Sequence, residues 1–286
     1  MADRPRRHRP HLDPTGEVEL PDDDEPSADR ERFLAASTAA LEDSGRPADR
    51  EILAALLAAK PLRIAELTYG SNAVFLLELD APDPTRDEPL RGIYKPMRGE
   101  RPLWDFPRHT LYLREVAAYL VDAALGAGHV PPTVLRDGPL GPGSLQLYVH
   151  GLREVPAAGD TAGVNAQLHD IAVLDVLINN ADRKRAHLLL GEDLRLRAID
   201  NALSFLPYPR QRTALLSLGG SAVPKRSRNR LHHLADATVL TELCGKLQPL
   251  LSPRELAAFA ARAREFDADP VYPVLDDWDG RPFEWW

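Results

Sequence analysis

The chain has 286 residues, 44% hydrophobic and 27% charged, which is ordinary for a globular protein with a sizeable core. Its formal net charge of −8 argues against nonspecific binding to nucleic acid, because such binding favours surfaces rich in Lys and Arg. One cysteine excludes an internal disulfide and a cysteine-based zinc site, and no secretory signal or membrane-spanning stretch is visible, so we expect a cytoplasmic protein.

The N-terminal half is predicted to be rich in β-strands. Residues 1–27 carry a basic run and then an acidic run, so we expect a disordered tail there. Helices are predicted over Ser27–Leu41 and Asp49–Lys60, and a further amphipathic helix over Leu111–Leu125. The predicted strands are Leu62–Leu67, Ala73–Leu79, Arg91–Lys95, Thr133–Asp137 and Ser144–His150.

The C-terminal half is predicted to be mainly helical. A long, mostly buried helix is predicted over Val164–Asn180, and two short strands follow it at Ala186–Leu190 and Leu196–Asp200. Further helices are predicted over Asn229–Leu250 and Ser252–Phe266, the second of which opens with a capping box. The order of elements predicts an α+β protein of two lobes, with residues 28–150 in the N-lobe, residues 151–286 in the C-lobe and a cleft near Gly151.

A charged run, Asp182-Arg183-Lys184-Arg185, separates the buried helix from the first short strand of this half. Phosphoryl transfer requires an Asp that orients the attacking hydroxyl, and further ligands that hold a divalent metal on the phosphates. Asp182 fits the first role, and His187 and Asp200 fit the second. Arg183 is grouped with the catalytic residues, with the alternative that it anchors the loop through an ion pair.

The β-rich half offers residues for the rest of a nucleotide. Lys95 ends an apolar strand and is suited to reach the α- and β-phosphates, and Glu115 on the next helix is placed to pair with it. Backbone N–H groups of the small turn at Tyr69–Asn72 are suited to cradle phosphate. The last strand before the lobe boundary contains Gln146–Val149, whose backbone N–H and C=O groups are suited to hold adenine.

Each of these residues also has an ordinary interpretation. A lysine at a strand end, a solvated helix glutamate, a turn aspartate and a buried core histidine are all common in proteins. We favour the functional interpretation because the residues occur in one order and at the intervals of a kinase.

Four segments together resemble the phosphatidylinositol 3-/4-kinase-like superfamily: QLYVHG, REVAAYLVD, NNADRKRAHLLL and AIDNALSF. Within it the chain resembles the type II phosphatidylinositol 4-kinases and, more closely still, a group of uncharacterised actinobacterial phosphatidylinositol-kinase-like proteins. The resemblance extends from about Leu67 to Phe205 and implies a two-lobed kinase-like fold. The resemblance implies that Lys95 binds phosphate with support from Glu115, and that the phosphate-binding turn contains Ser71. It places the backbones of Leu147 and Val149 at the adenine pocket. It implies that Asp182 is the catalytic-loop Asp and that Asp200 binds the metal.

Two positions differ from the pattern of that superfamily. His187 stands where Asn usually binds the second metal, and neutral imidazole is a poorer Mg²⁺ ligand than an oxygen, which favours Mn²⁺ or loss of that metal. Ala202 stands where Gly is usual, which restricts the backbone.

We therefore expect a kinase that uses ATP with Mg²⁺ or Mn²⁺ and whose acceptor is a hydroxyl on a protein, a small polyol or an inositol lipid. One alternative is a pseudokinase that binds nucleotide as a regulatory module, and another is a nucleotidyl transferase that uses the same cleft. The aromatic tail, Trp278–Trp286, is expected to fold back onto the C-lobe, and a protein partner is the alternative. No nucleic-acid partner and no integral membrane segment are expected.

Overall fold

The computed structural model describes residues 32, 35–38, 47–67, 72–83, 87–155, 162–276 and 279–282. The tail predicted to be disordered, residues 1–27, lies outside these residues, as do Ser71 and most of the aromatic tail. Residues 35–38 are helical, within the first predicted helix.

An antiparallel sheet of five strands forms the N-terminal region. It follows helix α1, Pro47–Ala58, and its strand order is β1-β2-β3-β5-β4. The strands are β1 Pro61–Leu67, β2 Val74–Pro82, β3 Pro89–Pro96, β4 Thr133–Gly138 and β5 Gly141–Leu147. The fifth strand was predicted at Ser144–His150 but begins at Gly141, because Gly138 and Gly141 pair at the turn of the β4–β5 hairpin. It ends at Leu147, before the chain turns at Gly151, whose φ is 64°.

Helix α2, Leu111–Ala124, is buried along nearly its whole length. The predicted amphipathic helix is therefore enclosed on more sides than its pattern implied. It contacts β4 and β5 of the sheet and also two helices of the C-terminal region. One continuous cluster of buried apolar side chains joins both regions through it. As a result, α2 packs against the sheet on one side and against the C-terminal helices on another.

In the residues that the structure describes, the C-terminal region combines four α-helices with a second, small sheet. Its long helix is α3, Ala162–Ile178, and its sheet has the order β6-β7-β8. The strands are β6 Arg153–Glu154, β7 Leu188–Leu190 and β8 Leu196–Ala198, and the remaining helices are α4 Lys225–Ala235, α5 Ala237–Leu247 and α6 Pro253–Ala268. β6 was not predicted, because two residues are too few to give a periodic pattern.

The helical stretch predicted over Asn229–Leu250 is two helices that meet at Asp236. The backbone of Asp236 is extended, with φ −51° and ψ 137°, and its carboxylate accepts hydrogen bonds from the N–H groups of Thr238 and Val239. An Asp that caps a new helix must end the previous one. The predicted capping box at Ser252 and Glu255 is present.

The expected α+β architecture is confirmed: a β-rich region with one enclosed helix precedes a mainly helical region. Among the described helices, none has both the length and the apolar character that a membrane crossing requires.

Candidate active site

A cavity of about 500 Å³ lies between the N-terminal sheet and the β7–β8 hairpin. Its walls come from β2, β3, α2, the connection after β5 and the residues that flank the hairpin. Most of the lining is apolar, and charged side chains are confined to a few positions, among them Lys95, Glu115 and Asp200. An apolar cavity with a few converging polar groups is the usual form of a small-molecule site.

Lys95 is the central charge of this cavity. Its Nζ donates a hydrogen bond to Oε1 of Glu115 on α2 and another, of 2.9 Å, to Oδ1 of Asp200. Burial acts to lower the pKa of Lys95, but the carboxylates of Asp200 and Glu115 outweigh it and raise the pKa well above its ordinary value. Lys95 is therefore a permanent cation at neutral pH.

Asp200 follows β8 in a left-handed backbone conformation, with φ 56°. Its side chain opens into the cavity and remains 50% exposed. The Lys95 cation holds the pKa of this carboxyl well below its usual range, and His187 and a hydrogen bond from Lys95 add to the effect. The next residue is fixed as well, because the backbone N–H of Asn201 donates to Oε2 of Glu115 at 3.0 Å. Glu115 thus holds both Lys95 and the segment that carries Asp200.

His187 and Asp200 form the pair predicted to bind metal. His187 Nε2 lies 3.4 Å from Asp200 Oδ2, and burial lowers the pKa of His187 to about 4. A neutral imidazole beside an ionised carboxylate suits a divalent cation. In the described part of the chain, no group of three or more His, Cys, Asp and Glu side chains could hold a metal by itself. A metal held here would therefore require further oxygens, such as those of phosphate or water.

Asp182 lies on the loop between α3 and β7 and is not part of the cavity lining. Its Oδ2 accepts a hydrogen bond of 2.8 Å from Lys184 Nζ, and its backbone N–H donates to Asn180 Oδ1. Burial raises the pKa of the Asp182 carboxyl, against the opposing effect of Lys184. The contact with Lys184 was not predicted, although residues two apart in an extended segment point to the same side of the chain.

Arg183 is fully buried, with 0% of its side chain exposed. Its Nε donates to Asp175 Oδ2 on α3 at 3.0 Å, and its Nη2 donates to Asp175 Oδ1 at 2.9 Å. The same Nη2 donates to Asn201 Oδ1 at 2.5 Å. It also donates to the carbonyl oxygen of Ile199 at 2.9 Å. The guanidinium is enclosed by these partners, and the geometry fits the anchoring alternative.

Asp175 and Asn180 support this loop and were not predicted from the sequence. Asn180 Nδ2 donates to Asp175 Oδ1 at 3.0 Å, so one buried carboxylate ties α3 to the loop after it through both Asn180 and Arg183. A signal was present, because Asp175 is the one charge within the apolar run IAVLDVLI. A charge in a buried helix requires a buried partner, and a nearby Arg was available.

The predicted adenine end of the cavity is formed by Leu147 and Val149, both of which line it. The N–H of Leu147 already donates to the carbonyl oxygen of Pro132 at 2.8 Å. Leu147 could therefore offer a nucleobase only its carbonyl oxygen, as a hydrogen-bond acceptor. The donor would have to come from another residue of the connection.

Two further predictions concern the turn at Tyr69–Asn72 and Ala202. Ser71 lies outside the described residues, but its neighbours Asn72 and Ala73 line the cavity. Ala202 also lines the cavity, and it is not among the residues with positive φ. Its methyl group therefore imposes no backbone strain where the superfamily usually has Gly.

Comparisons with solved structures show a shared fold. The Golgi casein kinase with Mn and ADP bound matches with a TM-score of 0.53 and 16% identity, covering 77% of this chain and 74% of that one. The Helicobacter pylori proinflammatory kinase CtkA matches with a TM-score of 0.51 and 10% identity, covering 77% of this chain and 95% of that one. At these identities the likeness shows the fold alone, which is kinase-like.

Comparisons of sequence add two relatives, and no family model matches the chain. Phosphatidylinositol 4-kinase gamma 4 of Oryza sativa subsp. japonica is 36% identical over 108 residues, which are 31% of this chain and 19% of that protein. Protein Rv2133c of Mycobacterium tuberculosis is 34% identical over 261 residues, which cover 78% of this chain and 90% of that protein. Because this similarity extends over nearly the whole relative, the chain belongs to the family of protein Rv2133c.

Proposed function

We propose that the protein is an ATP-dependent phosphotransferase that transfers the γ-phosphoryl group of ATP to a hydroxyl. The observation that carries the proposal is the convergence of Lys95 from a strand, Glu115 from a helix and Asp200 from the segment after β8 at one cavity, although Lys95 and Asp200 are 105 residues apart. We also propose that the nucleotide lies between an N-lobe of residues 28–150 and a C-lobe of residues 151–286.

Each charged residue has a role in this proposal. Lys95 binds phosphate oxygens, and Glu115 holds Lys95 in position while it fixes the N–H of Asn201. Asp200 and His187 would hold Mg²⁺ or Mn²⁺, which would neutralise charge on the phosphates. The turn that contains Ser71 and the backbones of Leu147 and Val149 would contact the phosphates and adenine.

Asp182 would orient the acceptor hydroxyl and take its proton as the γ-phosphorus forms its bond to the hydroxyl oxygen and ADP leaves. Burial, which raises the pKa of Asp182, makes this carboxylate a better proton acceptor. Arg183 would act at a distance, by holding the loop of Asp182 against Asp175 and Asn201. We propose for it a positioning role.

The acceptor is proposed as a hydroxyl of a protein, a small polyol or an inositol lipid. The similar solved structures are named as kinases, and one of them holds Mn and ADP, which supports nucleotide and divalent-metal use here. The similarity of 108 residues to a phosphatidylinositol 4-kinase supports the phosphatidylinositol-kinase type for this protein.

A pseudokinase is the second candidate, and one contact favours it. Lys95 Nζ occupies an oxygen of Asp200, the carboxylate that would bind metal, and imidazole replaces the usual oxygen ligand at His187. If Lys95 did not release that oxygen, the cavity would bind nucleotide without turnover.

The test is the intact mass of the protein and of added acceptors after incubation with ATP and Mg²⁺ or Mn²⁺. A mass increase of one phosphoryl group supports the phosphotransferase, and an increase of one AMP group supports nucleotidyl transfer. Thermal stabilisation by ATP with no change in mass and no ADP formed supports the pseudokinase. Asp200→Asn should lose the mass increase, and its matched control is Asp193→Asn, because Asp193 pairs with Arg197 at an exposed position outside the cavity lining.

A further inference from the structure

Three residues on neighbouring strands form a row across the sheet at the wall of the candidate nucleotide cavity. Thr133 on β4 lies directly opposite Gln146 on β5, and Gln146 lies directly opposite Ile93 on β3. Residues that pair in this way present their side chains on the same face of the sheet. Gln146 and Ile93 line the cavity, as does Lys95 two residues further along β3, whereas Thr133 is fully buried. The amide of Gln146 is therefore part of the cavity wall, with Thr133 beside it.

Hydrogen bonds fix which end of the Gln146 amide faces Thr133. The Thr133 hydroxyl donates to the carbonyl oxygen of Pro131 at 2.7 Å, and because a carbonyl carries no proton, the hydroxyl proton must lie in this bond. Thr133 Oγ1 can then only accept from Gln146, so the amide atom 2.9 Å away is the donor, Nε2. The acceptor of the amide, Oε1, is left at the other end.

The oxygen Oε1 of Gln146 remains accessible to a ligand. Among the described residues, no donor is bound to Oε1, and it is not one of the enclosed polar atoms that lack a partner. Gln146 as a whole is only 7% exposed, so a ligand that fills the cavity would remove this oxygen from water. An acceptor that is enclosed without a donor costs free energy. A ligand that brings a donor to Oε1 is therefore favoured over one that brings an acceptor.

The residue after Gln146 offers a second acceptor. The N–H of Leu147 donates to the carbonyl oxygen of Pro132 at 2.8 Å, and Pro132 cannot return this bond to the carbonyl oxygen of Leu147 because proline has no N–H. The 6-amino group of adenine carries two hydrogens, which is enough for both acceptors. Guanine and hypoxanthine have a carbonyl oxygen at position 6, which would face two acceptors without a proton between them.

We propose that Gln146 selects the nucleobase. Its Oε1 accepts a hydrogen bond from the 6-amino group of adenine, and Thr133 is the positioning residue that holds the amide in this orientation. The inference rests on the proposed function, because it concerns the nucleotide of the same cavity. It assigns to one side chain the discrimination between adenine nucleotides and nucleotides with a 6-oxo base.

The experiment measures dissociation constants for adenosine diphosphate and inosine diphosphate by isothermal titration calorimetry with Mg²⁺ present. Diphosphates have no γ-phosphoryl group to transfer, so binding is measured without turnover. The base of inosine carries a carbonyl oxygen at position 6 in place of the amino group of adenine. We expect the wild type to bind adenosine diphosphate at least about 10-fold more tightly than inosine diphosphate.

Two variants test whether Gln146 is the source of this ratio. Gln146→Leu removes the acceptor at similar size, and we expect it to lower the ratio by at least about 5-fold, mainly through weaker binding of adenosine diphosphate. Thr133→Val keeps Gln146 but deletes the hydroxyl that orients it, and should lower the ratio to an intermediate value because the amide can then turn. Gln248→Leu is the matched control, since Gln248 is exposed at the end of α5 and outside the cavity lining.

The outcomes separate this inference from the proposed function. A ratio in Gln146→Leu equal to that of the wild type and of Gln248→Leu, with adenosine diphosphate still bound, would overturn base selection by Gln146 and leave the phosphotransferase intact. Failure of the wild type to bind either diphosphate would contradict nucleotide binding itself, and this inference with it. If Gln146→Leu does not fold, the wild type still decides, because equal affinities for the two diphosphates would overturn the proposal.

Discussion

Lys95 Nζ lies 2.9 Å from Asp200 Oδ1, although 105 residues separate the two in the sequence. The same Nζ group is bound to Glu115 Oε1, so a single cation joins the sheet, the enclosed helix α2 and the residue that follows β8. Since Asp200 Oδ1 is then occupied, a metal ion that binds with nucleotide must share this carboxylate or displace the lysine. Phosphate oxygens would offer Lys95 the alternative partner.

Removal of the Lys95 charge should therefore abolish nucleotide binding. We expect Lys95→Met to lose the thermal stabilisation by ATP, which amounts to about 2.7 kcal/mol when the ligand is present at 100 times its dissociation constant. Differential scanning fluorimetry with and without ATP measures this effect. Lys60→Met is the matched control, because the Lys60 side chain is exposed at the end of α1. Equal stabilisation of both variants by ATP would contradict a phosphate-binding role for Lys95.

Loss of Arg183 should destabilise the fold as well as the loop. Arg183→Met leaves Asp175, which is 0% exposed, as an uncompensated buried charge, and such a change costs about 3–5 kcal/mol of unfolding free energy. The double variant Arg183→Met/Asp175→Leu should recover much of this loss, because no charge is then left unpaired. Chemical denaturation measures both. A single variant as stable as the wild type would contradict the buried ion pair.

The proposed metal site should change its preference for Mg²⁺ or Mn²⁺ if the imidazole of His187 is replaced. We expect His187→Asn to raise the ratio of activity with Mg²⁺ to activity with Mn²⁺ by several-fold, because an amide oxygen is a harder ligand than imidazole. The measurement is the initial rate of ATP turnover with each metal at saturating concentration. An unchanged ratio would show that His187 does not contact the metal.

The free energy of unfolding should fall at low pH because Glu255, which forms a buried ion pair with Arg114, becomes protonated. Burial acts to raise the pKa of Glu255, but the Arg114 guanidinium and further hydrogen bonds outweigh it and lower the pKa. A carboxyl with a lowered folded pKa contributes stability above its unfolded pKa, about 4.5, and this contribution is lost as pH falls through the folded pKa.

We therefore expect the unfolding free energy of the wild type to decline below about pH 4.5 more steeply than that of Glu255→Gln, which cannot titrate at this position. Urea unfolding between pH 3 and pH 7 measures the two slopes. Parallel slopes for the two proteins would show that the Arg114–Glu255 pair does not contribute to the acid dependence.

The sequence indicates the residues of the candidate site better than it indicates their partners. Four predicted residues lie in short motifs that can be recognised in the sequence, and the structure brings them together: Lys95, Glu115, His187 and Asp200. The local sequence shows that Asp175 requires a buried partner, but the contact of Arg183 with Asn201 joins segments that are separate in the sequence and is not visible in a local pattern.

The fold shows the same limit. Alternation of apolar residues predicts the five strands of the first sheet, and it fails at their ends, where hairpin pairing of Gly138 with Gly141 sets the boundary. The break between α4 and α5 was missed because Asp236 is compatible with a helix until its side chain caps the next one. The short β6 exists only because β7 lies beside it.

The most direct test of the proposed phosphotransferase is the rate of phosphate transfer or release from γ-labelled ATP with Mg²⁺ or Mn²⁺. Three proteins are compared: the wild type, Asp182→Asn and Asp200→Asn. The account predicts turnover in the wild type, its loss in both variants, and continued ATP binding by Asp182→Asn, because Asp182 does not line the nucleotide cavity. Turnover that persists in either variant, or no turnover by the wild type with either metal, would contradict it.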